Sequence, residues 1–80
     1  MGITKNQKYT IKECLKLPFI VKEFNGSKFY AIKPIWKEEK KKVNQLCLAG
    51  LAYEIEENWY VLTEAGIHSR YLLLFQYSKK

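Results

Sequence analysis

Asn25-Gly26 stands in the middle of FIVKEFNGSKFYAIK, with aromatic and β-branched residues on both sides. This pair supplies the two positive φ values that a type I′ turn demands, and a two-residue turn fixes the register of the strands it joins. Residues 19–33 are therefore predicted to form a β-hairpin in which Glu23 faces Lys28, Val21 faces Tyr30 and Phe19 faces Ile32. A charge pair near the turn and apolar pairs farther in suit one face of a stable ribbon. The other face carries Ile20, Phe24, Phe29 and Ala31, so the hairpin is expected to be covered on both sides.

Three helical segments are available to cover it. TIKE at residues 10–13 is a capping box, with Thr10 as N-cap and Glu13 reaching back; Ile11, Cys14 and Leu15 follow at helical spacing until Pro18 disfavours the helix at Leu17. A helix of about seven residues is predicted. PIWKEEKKKVNQLCLAG is the second: Pro34 is tolerated at its start, Glu38 and Glu39 lie near the positive end of the dipole, and Gly50 is a natural stop. Projected at about 100° per residue, Trp36, Val43, Leu46, Cys47 and Gly50 gather on a core side, with Lys37, Lys41, Asn44 and Gln45 roughly opposite. LAYEIEENWYVL reads as a second hairpin with Glu57-Asn58 at its tip, Tyr53 facing Leu62 and Ile55 facing Tyr60 on the core side, and Glu54, Glu56, Trp59 and Val61 on the other. Thr63 then caps a last helix over residues 64–77. Its stretch Tyr71-Leu-Leu-Leu-Phe75 is apolar almost all round; a strand is the alternative there, though Leu-rich runs without β-branching favour helix.

These 80 residues make a single α+β domain over residues 10–80, in the order α-β-β-α-β-β-α, behind a polar, flexible segment 1–9. With 48% apolar residues the chain is too hydrophobic to be a disordered basic tail. Its +6 charge is uneven: residues 1–42 hold 11 Lys against 4 Glu, and the remainder is slightly acidic. A basic face of this kind serves nucleic acid or another polyanion; lysine-rich codon drift in an AT-rich genome is the bland alternative. Cys14 and Cys47 have no CxxC or Cys/His grouping around them, so no zinc site is expected and two reduced core thiols are the simplest reading, a disulfide being weakly motivated. His68 has no Asp anywhere in the chain to orient it and no activated nucleophile beside it, so the protein reads as a non-enzyme without cofactor or metal. There is no apolar leader, and YLLLF is far shorter than the roughly 20 residues of a membrane span, which implies a cytoplasmic protein with no membrane partner.

Gly50-Leu51 and the later Tyr60-x-Leu62-Thr63-x-x-Gly66 carry a resemblance. The succession CLAGLAYEIEENWYVLTEAG resembles winged-helix DNA-binding proteins over roughly residues 43–75: a recognition helix ends at a Gly-hydrophobic pair, a hairpin wing follows, and Tyr-x-Leu-Thr-x-x-Gly opens the next helix. The resemblance implies a winged-helix-like domain, here with an additional N-terminal Asn-Gly hairpin, and a regulator or recombination accessory of the sort mobile elements and viruses encode. Two features depart from the pattern. The hairpin occupies the place where the first helix of a helix-turn-helix belongs, and the wing tip is acidic where a DNA-facing wing is usually basic.

The candidate site follows from these readings. Lys37, Lys40, Lys41, Asn44 and Gln45 are expected to meet double-stranded DNA, the lysines at phosphates and the amides at adenine edges in the major groove; a solvated helix face is the bland reading of the same residues. Glu54, Glu56 and Glu57 repel phosphate and, with Leu73 and Phe75, are the candidates for protein contact. That gives a second function class, a protein-binding module or inhibitor. The last helix is more apolar than a small monomer easily covers, which implies a second chain, most simply in a C2 homodimer.

Overall fold

Thr10 opens the first helix in the computed structural model, which describes residues 9–78. Its hydroxyl accepts from the Glu13 amide at 3.1 Å, and Glu13 returns the favour to the Thr10 N–H at 3.4 Å, which is the expected capping box. The helix α1 is short, Ile11–Leu15. The strands β1 (Ile20–Phe24) and β2 (Ser27–Ile32) follow, then helix α2 (Lys37–Leu48), strands β3 (Ala52–Glu56) and β4 (Trp59–Leu62), and helix α3 (Glu64–Ser78). The result is a small α+β domain whose four strands form one antiparallel sheet in the order β1-β2-β4-β3.

The first hairpin has the register its turn dictates. Asn25 and Gly26 both take positive φ, 52° and 86°, and Glu23 pairs with Lys28 and Val21 with Tyr30. β1 begins at Ile20, so the expected Phe19–Ile32 pair lies beyond the ladder; both side chains are nonetheless buried in the main core. Covering is uneven: Ile20 and Val21 on the edge strand β1 are exposed, whereas Phe24 and Ala31 are buried.

The second hairpin corrects the sequence reading. Its tip is Glu57-Asn58, with Asn58 at φ 64°, but a bulge lies between Glu54 and Glu56. One extra residue on β3 shifts all pairing beyond it. Tyr53 faces Val61, not Leu62, and is exposed; Glu54, not Ile55, faces Tyr60; Leu62 pairs with Ala52, and both are buried.

Two cores result, one on each face of the sheet. The larger joins Cys14, Leu15, Leu17, Phe19, Ile32, Val43, Leu46, Ala52, Leu62 and Leu73 under the three helices. The smaller, on the other face, has no helix over it among the described residues. Phe24, Ala31 and Val61 are buried there by Phe29, Ile55 and Trp59, with the Trp59 and Phe24 rings edge to face at 5.9 Å and the Lys22 ammonium 4.9 Å from the indole. An aromatic layer with lysine stems laid across it does the work of a second covering layer.

The chain's single arginine ties the elements together. Arg70 on α3 donates to the Leu15 carbonyl at 3.0 Å and the Leu17 carbonyl at 3.5 Å, and its guanidinium lies over the rings of Phe19 and Tyr30. It satisfies carbonyls left over at the end of α1. Cys14 and Cys47 are free thiols. Burial pushes both thiols up from their ordinary range, so they stay protonated and weakly reactive at neutral pH.

Candidate nucleic-acid interface

α2 begins later than its sequence suggests. Pro34 is buried ahead of the helix, and Trp36 is the N-cap residue in extended geometry. The Glu39 carboxylate accepts from the Ile35 amide at 3.1 Å and the Trp36 amide at 3.3 Å, so two amides at the helix entrance are satisfied by a side chain from its first turn. Trp36 consequently lies outside the helical projection. It is 70% exposed and makes no part of the core side.

At its other end α2 stops in a Schellman arrangement. Gly50 takes φ 79°, its N–H donates to the Cys47 carbonyl, and the Leu51 N–H donates to the Leu46 carbonyl at 2.9 Å. Gly50 is thus an exposed terminator, not a member of the buried stripe where the projection put it.

Between these ends the helix has two clear sides. Val43 and Leu46 are buried against α1 and β3, while Lys37, Lys40, Lys41 and Asn44 are exposed. At about 100° per residue those four fall within an arc of about 100°, and from Lys37 to Asn44 they run roughly 10 Å along the axis. That length is comparable to three base-pair steps of duplex DNA, at about 3.4 Å each. The lysines occupy the first half of the helix, and Glu38 and Glu39 share its first turn.

Gln45 does not belong to this stripe. It is half-buried, and its amide nitrogen donates to the Tyr9 carbonyl at 2.6 Å; Lys42 lies over the Tyr9 ring at 4.9 Å. The segment leading into α1 therefore crosses one flank of α2 and occupies the amide expected to read a base. Sequence projection cannot see this, because it depends on a contact 36 residues away.

The acidic tip is held by one of its own carboxylates. Glu54, Glu56 and Glu57 are exposed, and Glu54 accepts from the Asn58 amide at 2.8 Å, supporting the turn's left-handed residue. Burial, and after it the Glu54 carboxylate, raises the Cys47 thiol. The exposed face is thus basic at the start of α2 and acidic beyond its end.

On α3 the two expected interface residues part company. Leu73 is buried in the main core, against expectation, while Phe75 is 49% exposed and stacks on Tyr71 at 6.2 Å. A helix presents residues two apart to different sides, so only one of the pair can face outward. Tyr71, Leu72 and Leu74 are exposed as well. His68 is exposed on the same helix.

Sequence reading missed Ile35 and Trp36 as surface residues. Glu39 three positions after Trp36 was the available signal, since that spacing marks Trp36 as an N-cap and not a helical residue. Among the described residues no group of three or more His, Cys, Asp or Glu side chains is placed to hold a metal ion, and no helix is long and apolar enough to cross a membrane. The fold and the site define a small α+β domain with one lysine-rich helix face. No protein-family model, curated protein or solved structure matches the chain.

Proposed function

We propose that this is a small basic DNA-binding protein of winged-helix type, in which the exposed side of α2 meets the phosphates of double-stranded DNA and the β3–β4 hairpin is a wing turned away from it. The observation that carries the reading is the stripe of Lys37, Lys40, Lys41 and Asn44, exposed along a helix whose opposite side is anchored in the core. The antiparallel order β2-β4-β3 and the Gly50-Leu51 stop support it. A regulator or recombination accessory needs no more than this. Binding of the protein to random-sequence duplex across a salt series is the direct test. Three lysine–phosphate contacts give a log–log slope of about −2.7, at about −0.9 each; binding that ignores salt, or no binding at low salt, removes the proposal.

A second reading rests on α3. Tyr71 at 62% and Leu72 at 43% exposure extend a largely apolar helix surface, and a second copy of the chain is the simplest cover for it. Non-enzymatic protein binding, with self-association as its first case, is the function this feature favours. Light scattering is expected to show a concentration-dependent dimer that Tyr71→Glu abolishes. A monomer throughout the accessible concentration range refutes it.

A further inference from the structure

Ile35 and Trp36 are each 70% exposed, side by side at the corner where β2 hands over to α2. The corner is well built. Pro34 is buried immediately before it, and the Glu39 carboxylate holds both amides. Trp36 therefore projects from a fixed backbone, which removes much of the ordering cost of binding. The chain's other indole, Trp59, is already engaged by Phe24 and Lys22. Among the described residues no ring or ammonium group stacks on Trp36.

The surroundings are basic. Lys37 follows Trp36 directly and Lys40 lies one helical turn on, both exposed; Lys33, ahead of the corner, lies over the Trp59 ring instead. An aromatic plane at the head of a row of cations matches a chain that alternates flat bases with phosphates. Stacking on a base face is tolerant of sequence, but it requires a base whose face is uncovered. A continuous duplex hides those faces. A bilayer surface is the other polyanion that takes an exposed tryptophan among lysines, but the cations here form a single file along one helix, which suits a linear polyanion better than a plane.

We propose that Trp36 is a base-stacking residue, so that the preferred ligand of this face is DNA with unpaired bases beside a duplex, such as a tailed end or a melted stretch. This rests on the reading of α2 as the phosphate-binding face. Lys37, Lys40 and Lys41 hold the backbone, and Trp36 covers the first base that leaves the stack.

The test compares three ligands at low salt: a short oligothymidylate, a blunt duplex of mixed sequence, and that duplex with a single-stranded tail. Anisotropy of labelled oligonucleotides is expected to show Trp36→Ala weakening the tailed duplex and the oligothymidylate about tenfold, with less than about a twofold change for the blunt duplex. Trp36→Phe is expected to recover much of the loss. In a Trp59→Phe background, where Trp36 is the sole indole, the same two ligands should quench its emission and the blunt duplex should not. If that background fails to fold, the anisotropy comparison decides alone. Small, equal effects of Trp36→Ala on all three ligands, with salt-dependent binding retained, overturn the stacking role and leave α2 as a duplex reader. Absence of salt-dependent binding to all three overturns both readings. Quenching by phosphatidylserine vesicles without quenching by any oligonucleotide overturns the proposal in favour of a membrane surface.

Discussion

Gly66→Ala is expected to destabilise the protein by about 3 kcal/mol, although the same change in an exposed helix interior stabilises by about 1 kcal/mol. Gly66 is buried in the first turns of α3, where the helix crosses the backbone of Leu51. A Cβ there would fall well inside van der Waals contact of the Leu51 carbonyl oxygen, and 3.1 Å from both the carbonyl carbon and Leu62 Cδ2. Backbone at Leu51 has little room to retreat. Its N–H donates to Leu46 and its carbonyl accepts from the Thr63 amide, both at 2.9 Å. Thr63 closes the same junction, its hydroxyl donating to the Gly50 carbonyl and accepting from the Gly66 amide, each at 3.1 Å. The Leu-Thr-x-x-Gly segment is thus a physical joint between the end of α2 and the start of α3. For a domain of this size the loss corresponds to a drop of roughly 10–20 °C in Tm, read by circular dichroism. An equal or higher Tm would show that the two segments separate without cost.

Reversing two charges on α2 is expected to have the largest effect on DNA binding. Each lysine–phosphate contact contributes about 0.9 of a log unit per decade of salt, so at about 0.1 M salt the loss of two contacts weakens binding roughly 60-fold. Glutamates in their place add repulsion within a Debye length of about 10 Å. Lys37→Glu with Lys41→Glu should therefore weaken duplex binding by about 100-fold and flatten the salt slope by about 1.8. Lys12→Glu with Lys28→Glu is the matched control, since both lysines are exposed, lie off α2 and change the net charge equally. It should cost no more than about threefold. Equal losses in the two double variants would mean that bulk charge, and not the α2 stripe, attracts DNA.

Some of this architecture is legible from local chemistry. Asn25-Gly26 specifies a turn, the turn specifies the ladder, and Glu23 and Lys28 meet as their spacing requires. Thr10 with Glu13, and Gly50 at the end of α2, are equally local. What escaped depends on contacts far along the chain or on a break in periodicity. The bulge near Ile55 inserts one residue into an alternating pattern that gives no sign of it, so Tyr53 was assigned to the wrong face. Leu73 and Phe75 sit in a run apolar on every side, where periodicity cannot tell core from surface; packing against α1 and β4 makes the choice. Of the site itself, Lys37, Lys40, Lys41 and Asn44 could be placed on one exposed side from helical spacing alone. Gln45 could not, because its amide is taken by Tyr9, and Trp36 was hidden by the assumption that Pro34 lay inside the helix.

The four-stranded sheet never closes on itself, and its two borders are defended unequally. β3 forms one border, where the bulge interrupts the row of free peptide groups and Glu54, Glu56 and Glu57 would confront their own counterparts in any chain docking alongside. Like charges and an irregular edge are how soluble proteins discourage strand addition. These carboxylates thereby act as gatekeepers against fibre growth. β1 forms the other border with Ile20 and Val21 both more than half exposed and no bulge to break it. Unwanted association in concentrated or crowded solution should therefore begin at β1, and the lysine and glutamate that follow, Lys22 and Glu23, are the only charges on that strand to oppose it.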